Sequence, residues 1–325
     1  MLMIEDLTVE YAARRRLGQP ARSVSALSGV SLEINQGETL GVVGETGCGK
    51  TTMASAVIQL VKPNKGRVVF CHEDLVVASP ERLRVLRADI QMVVQDPFSS
   101  MDPRWSVKRI VAEPMLIHRI GVPEQRRQKA DELLSLVGLD PLIYSDRKPR
   151  QLSGGQCQRV AIARALAVSP KLLICDEIVS SLDVSVQAQI LNLLLRLREE
   201  LGIAYLFISH DLAVVRHISD RVAVMYMGRV AEIGPSEGIY TQPLHPYTDE
   251  LLGSVPGLEV DDLGHAGEVS GAEAPSAMAP PSGCRYRMQC PKATVRCADE
   301  IPHLREIRPG HSVACHFPRV GNGSS

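Results

Sequence analysis

Gly44-Glu45-Thr46-Gly47-Cys48-Gly49-Lys50-Thr51 is the stretch that decides how this chain folds. It fits the pattern G-x-x-x-x-G-K-[ST]. An apolar run, Thr39-Leu40-Gly41-Val42-Val43, precedes it, and a helical run from Thr52 to Leu60 follows. The glycines let the backbone curl so that successive N–H groups point inward, and the positive end of the next helix adds to their field. Such a loop cradles phosphates. Lys50 is long enough to reach β- and γ-phosphates, and the Thr51 hydroxyl suits Mg2+. The candidate nucleotide contacts therefore run from Gly44 to Thr52. Cys48, inside the loop, reads as a small filler in preference to a redox centre. A chance glycine-rich turn would not come with a strand before it and a helix after it.

Outward from the loop, short apolar runs alternate with longer helical patterns over residues 1–257, the mark of an α/β domain. Lys171-Leu172-Leu173-Ile174-Cys175 and Ala204-Tyr205-Leu206-Phe207-Ile208 read as buried strands. Between them, Gln187 to Leu201 repeats Leu and Ile at helical spacing, with Arg and Glu on the other face. The first of these strands runs into Asp176-Glu177. One carboxylate there is placed to hold Mg2+ through water, and the next to orient or deprotonate the attacking water. Asp176 is thus the metal-side candidate and Glu177 the candidate general base. Without a phosphate loop upstream, the pair would read as a solvated acidic turn. Gln95 ends the run Ile90-Gln91-Met92-Val93-Val94, where its amide can meet both Mg2+ and the water. His210 follows Ile208-Ser209, where it can touch the γ-phosphate. Spacing alone would leave both as ordinary structural side chains.

The chain has 325 residues, 45% hydrophobic and 22% charged, which suits one large domain with a small one. A formal net charge of −1 gives no basis for nucleic-acid binding. No apolar run approaches the ~20 residues that span a bilayer. Met1-Leu2-Met3-Ile4-Glu5-Asp6 lacks the charged-then-apolar layout of a signal peptide. The expectation is a cytosolic chain, so that any membrane crossing falls to other chains.

Composition changes near residue 258. Residues 258–283 hold Gly, Ala, Ser, Pro and acidic residues with no Lys or Arg, and read as a linker. Beyond it, Cys284, Cys290, Cys297 and Cys315 crowd a segment expected to be a small, separately stapled unit. In a reducing cytosol, clustered cysteines read as metal ligands before disulfides. Zinc sites favour tighter pairs than these, and the wider spacing suits an iron–sulfur cluster. On spacing, a cluster, zinc and bare thiols all stay open.

Leu152-Ser153-Gly154-Gly155-Gln156 lies about 100 residues after the phosphate loop and about 20 before Asp176. It resembles the signature motif of the ABC ATPases. A serine and two glycines at a helix start make a second phosphate cradle. The resemblance implies that Ser153, Gly154, Gly155 and Gln156 serve a nucleotide on a partner subunit, so that two chains sandwich two ATPs. It implies further that Gln95 is the Q-loop, Asp176 and Glu177 are Walker B and base, and His210 is the switch histidine. Ser180-Ser181-Leu182-Asp183 matches the D-loop, and Tyr11 stands where the family stacks an aromatic on adenine.

The likeness extends to the oligopeptide/dipeptide importer ATPases, F-type. It rests on the stretch from Gln95 to Arg104, on Gly155 to Arg159, on His210 to Val215, on Pro243-Leu244-His245-Pro246-Tyr247-Thr248, and on the tail from Pro280. The resemblance implies a mixed-sheet ABC ATPase domain over residues 1–257, with a helical subdomain at about 92–170 and a Cys-rich extension over residues 284–325. It also implies a second ATPase subunit forming a heterodimer, two transmembrane permeases, an extracytoplasmic solute-binding protein, and a place on the cytoplasmic face of the membrane. Mg2+ is expected on Thr51, Gln95 and Asp176, and a [4Fe–4S] cluster on the tail cysteines. Nickel, glutathione or another small solute stands as the alternative cargo, and a non-transport ABC ATPase as the rival role. Ile178 departs from the family's usual proline, which bears on the backbone that holds Glu177.

Overall fold

The computed structural model describes residues 1–12, 23–254 and 280–319. The basic stretch Arg14-Arg15-Arg16, residues 258–279 of the expected linker and residues 320–325 lie outside the described residues. In chain order the strands are β1 (Leu2–Ala12), β2 (Ser23–Ile34), β3 (Thr39–Val43), β4 (Lys65–Phe70), β5 (Glu73–Asp74) and β6 (Ile90–Val93). They continue as β7 (Leu172–Asp176), β8 (Ala204–Ile208), β9 (Arg221–Tyr226), β10 (Arg229–Pro235), β11 (Arg305–Arg308) and β12 (His311–Val313). The helices are α1 (Lys50–Val57), α2 (Pro80–Asp89), α3 (Val107–Ile117), α4 (Pro123–Leu136), α5 (Pro141–Tyr144) and α6 (Gly154–Leu166). After these come α7 (Val184–Leu201), α8 (Leu212–Ile218), α9 (Ser236–Thr241), α10 (Pro246–Gly253) and α11 (Val295–Asp299). The chain divides into two compact units. One holds Met1–Glu33, Leu40–Val76 and Ser209–Ser325; the other holds Ile34–Thr39 and Val77–Ile208.

In the first unit, β2, β1, β4 and β5 form a sheet in that order. Leu2, Ile4, Leu7 and Val9 of β1 are buried, so the alternation skips one residue after Ile4. The skip has a local cause. Asp6 sits at φ 47°, and the register against β4 shifts between Glu5 and Thr8. An extra residue in one strand flips the faces beyond it. A mixed sheet completes the unit: β3 runs parallel to β9, while β9, β10, β12 and β11 pair antiparallel in turn.

The cysteine-bearing segment does not stand apart as the sequence led us to expect. β12 pairs with β10, matching Glu232 to Val313, and Tyr286 and Val313 are buried. A segment this short cannot enclose a core of its own, so it completes one by adding strands to a sheet already present. The seam holds a buried polar knot. The Glu232 carboxylate accepts the Leu244 and His245 amides at 2.7 and 2.8 Å, and His311 Nε2 lies 2.7 Å from it. Replacing Glu232 with alanine leaves three buried polar partners unsatisfied. The expected cost is about 3–5 kcal/mol in urea unfolding, and a loss below ~1 kcal/mol would show that the knot does not hold the seam.

In the second unit, β6, β7 and β8 are parallel neighbours, matching Ile90 to Leu172 and Leu172 to Ala204. β8 has the bounds read from the sequence, and β7 starts one residue later than expected. The long helix α7 begins three residues before the Leu/Ile periodicity does. Asp183 caps it by accepting the Val186 amide at 2.9 Å, and Gly202 at φ 65° ends it. Its buried face is Ile190, Leu191, Leu193, Leu194 and Leu197. Lys108 of α3 reaches Asp131 of α4 at 2.6 Å. Among the described residues, no helix is long and apolar enough to cross a membrane.

Candidate functional site

The phosphate loop belongs to the first unit. β3 is buried along its whole length and delivers the chain to Gly44. Gly49 is the N-cap of α1 at φ 107°, a conformation that any other residue would strain to hold. A Cβ there would also lie 2.5 Å from the Ala26 carbonyl oxygen. Gly49 brings no side chain to cap the helix, and the helix start faces the loop with its positive end. Glu45, Thr46 and Gly47 are exposed, while Cys48 and Lys50 are buried. The Lys50 ammonium donates to the carbonyls of Gly44 and Glu45 at 2.7 and 3.0 Å, and lies 3.8 Å from Cys48 Sγ. Burial raises the Cys48 thiol against the opposing pull of Lys50, which fits a filler rather than a thiolate. Thr51 is exposed and Thr52 half-buried on the first turn of α1.

α1 ends at Val57, earlier than the helical run to Leu60 suggested. Gln59 turns left-handed at φ 56°, the Leu60 amide bonds back to Ser55 at 2.9 Å, and the Gln59 amide to Ala56 at 3.1 Å. This is a Schellman closure with glutamine in the usual glycine place. Tyr11, the adenine candidate, is 43% exposed near the end of β1. His210 is exposed after Ser209, whose amide bonds to the Val42 carbonyl at 3.2 Å. Asp211 then caps α8.

The acidic and signature residues belong to the second unit. Asp176 is buried at the end of β7. Glu177 turns to φ 52°, a left-handed conformation that costs about 1–2 kcal/mol. Its amide bonds to the Ile208 carbonyl at 2.9 Å, and Ile178 beside it is buried. The Ser180 hydroxyl donates to the Glu177 carbonyl at 2.9 Å and accepts from Gln95 Nε2 at 3.2 Å. Ser180 therefore ties the Gln95 loop to the Glu177 turn. No local signal in the sequence gave Ser180 that role.

Ser153 is the N-cap of α6. Its hydroxyl accepts the Gln156 amide at 3.3 Å, and Gln156 Oε1 accepts the Ser153 amide at 3.0 Å. This reciprocal box fixes the helix start. The two glycines differ. A Cβ on Gly155 would meet Val186 Cγ1 at 2.4 Å, so packing against α7 demands glycine there. A Cβ on Gly154 would meet only Leu182, at an ordinary 3.5 Å, and Gly154 is exposed. Packing within this chain therefore does not require glycine at Gly154. Asp183 is held below the usual carboxylate range by the Ser185 hydroxyl first and then by the Val186 amide. Behind the helix, Arg164 of α6 donates to the Ser100 carbonyl at 2.5 Å, fastening α6 to the segment that follows Gln95.

Thr51, Gln95 and Asp176 each carry a side-chain oxygen, the donor type that Mg2+ takes. The tail cysteines are softer. Cys284, Cys290, Cys297 and Cys315 line one small pocket with His245 and His316. Burial, with the three other thiols adding to it, pushes Cys315 up to about 11. Yet among the described residues no three His, Cys, Asp or Glu side chains form a group that would hold a metal ion. The arrangement of these thiols gives the iron–sulfur expectation no support.

Residues 27–180 match the ABC transporter family model, and residues 231–297 match the model for the oligopeptide/dipeptide transporter C-terminal region. The oligopeptide transport ATP-binding protein AppF of Bacillus subtilis is 46% identical over 98% of this chain and 97% of its own. The oligopeptide transport ATP-binding protein OppF of Escherichia coli is 45% identical over 97% of this chain and 95% of its own. A solved dimeric ATP-binding cassette in a post-hydrolysis state, bound to ADP and Pi, superposes with a TM-score of 0.65 at 31% identity, covering 73% of this chain and 99% of that one. With a phosphate loop, a strand-end Asp-Glu pair and a signature helix in family order, and with relatives matched along almost its whole length, this chain is an ABC ATPase and belongs to the family of oligopeptide/dipeptide transport ATP-binding proteins.

Proposed function

We propose that this ATPase energises the import of di- and oligopeptides as one member of an unlike pair of ATPase subunits. The carrying observation is the near-full-length identity to oligopeptide transport ATP-binding proteins, together with the match to their C-terminal region at residues 231–297. In this reading residues 1–257 are the ATPase domain, with a helical subdomain at about 92–170, and residues 284–325 are the Cys-rich extension. Two permeases cross the membrane, a solute-binding protein delivers cargo from outside, and this chain sits on the cytoplasmic face.

The loop from Gly44 to Thr52 holds the ATP phosphates, with Tyr11 against adenine. Thr51, Asp176 and Gln95 would hold Mg2+, which would neutralise phosphate charge. Glu177 takes the proton of the attacking water, and His210 stays near the γ-phosphate. Ser153, Gly154, Gly155, Gln156 and Asp183 face the nucleotide of the partner subunit. Closure of the pair differs in free energy between ATP and ADP states, and that difference drives the permeases. The Arg164–Ser100 contact supports a rigid link between the signature helix and the Gln95 segment. A [4Fe–4S] cluster on the tail is the finer reading of its four cysteines. The four cysteines share a pocket, but among the described residues they form no closed ligand group, and the ATPase cycle needs no cluster.

The test is uptake of a labelled dipeptide and a labelled hexapeptide into vesicles carrying this chain, its partner ATPase and both permeases. ATP-dependent uptake of peptide is expected. Uptake of nickel or glutathione with no peptide uptake would overturn the peptide reading and leave the ATPase standing.

A further inference from the structure

The cysteine-bearing tail meets the phosphate loop through two short relays, both inside the first unit. The first relay is Tyr247. Its hydroxyl accepts the Glu45 amide of the loop at 3.2 Å, and the residue is 2% exposed. Its ring packs on Tyr226 with centroids 4.5 Å apart and on Tyr286 of the tail at 5.5 Å. The helix that carries it, α10, is gripped by the tail at several points. Tyr286 bonds to Glu250, Arg319 pairs with Asp249, and the Arg319 amide bonds to the Leu244 carbonyl at 2.8 Å. Burial holds His245 down to about 4, so its neutral Nδ1 accepts the Tyr247 amide at 3.0 Å and fixes the helix start.

The second relay is the turn between β9 and β10. The Gly228 amide donates to the Cys48 carbonyl of the loop at 2.8 Å, and the Gly228 carbonyl accepts the Ser28 amide at 2.9 Å. Arg285 of the tail locks that turn by donating to the Met227 carbonyl and, at 2.7 Å, to Ser28 Oγ. Gly44 rests against the same hairpin, since a Cβ on it would fall 2.2 Å from the Met225 carbonyl oxygen. Two residues of the loop, Glu45 and Cys48, are thus held by groups that the tail holds.

We propose that Tyr247 and Arg285 are positioning residues for nucleotide binding, through which the cysteine-bearing tail sets the shape of the phosphate loop. The proposal rests on the reading that this loop carries the ATP phosphates. Neither side chain is assigned to touch ATP. A loop whose Glu45 amide and Cys48 carbonyl are already held loses less conformational freedom when it closes on phosphate, which raises affinity without altering the chemistry of hydrolysis.

The test measures ATP affinity of the full chain with a fluorescent ATP analogue, and the thermal midpoint without nucleotide, for wild type, Tyr247→Phe, Arg285→Ala and Lys50→Ala. Tyr247→Phe keeps the ring and removes one hydrogen bond. Its expected effect is an affinity about 3- to 10-fold weaker, with the midpoint within about 3 °C of wild type. Arg285→Ala is expected to weaken affinity in the same direction. In the assembled transporter, the KM for ATP should rise while kcat at saturating ATP stays within about twofold. If both variants bind ATP as wild type does, with or without a lower midpoint, the tail is only structural and the proposal is overturned. Lys50→Ala separates the two failures: wild-type affinity in that variant would overturn the reading of the loop itself.

Discussion

Glu177→Gln is expected to slow ATP hydrolysis by about 10²- to 10⁴-fold while ATP binding is kept. Glutamine has nearly the shape of glutamate, so the turn at φ 52° and its bond to the Ile208 carbonyl have no reason to change. The carboxamide cannot take a proton from water. Binding and hydrolysis should therefore come apart, and the ATP-bound pair should persist as a dimer on size exclusion. The measurement is steady-state phosphate release by the assembled transporter, with the matching glutamate of the partner ATPase also replaced so that its site contributes nothing. Unchanged turnover under that condition would remove Glu177 as the base. Ile178 sharpens the same test. The residue is buried next to the Glu177 turn, so Ile178→Pro is a natural companion variant for the rate of an intact base.

Lys50→Ala is expected to lower ATP affinity by about 10²-fold or more, from the loss of charge-assisted bonds to phosphate at about 1.5–3 kcal/mol each. The ammonium has a second duty, because it satisfies the Gly44 and Glu45 carbonyls inside the loop. Alanine would leave those two acceptors to water. Titration calorimetry with Mg·ATP reads the first effect, and the nucleotide-free thermal midpoint reads the second. Retained affinity would overturn the reading that this loop holds the ATP phosphates.

The strands that the sequence announced were those whose cause is local. Thr39–Val43 and Ala204–Ile208 are continuous apolar runs, and a strand buried on both faces needs nothing more to be recognised. The phosphate loop and the signature motif are legible for a similar reason: the chemistry they carry needs particular residues at fixed spacing. The start of α7 was less legible, because its first turn, Val184 to Val186, owes its place to the Asp183 cap and not to the Leu/Ile period. The skip in β1 was also hidden, since nothing in Asp6 itself announces a left-handed residue.

Sequence alone determined that this chain is an α/β nucleotide-binding ATPase and which side chains are candidates for its chemistry. Tertiary structure alone decided what those side chains lean on. Gly155 must be glycine because Val186 packs against it, Ser180 joins Gln95 to Glu177, and the tail adds strands to a sheet instead of standing apart. Tyr247 reaches the Glu45 amide across 202 residues of chain. Contacts of that kind leave no period, spacing or composition in the sequence. They arise only when distant segments pack, and the free energy that selects them belongs to the packed whole.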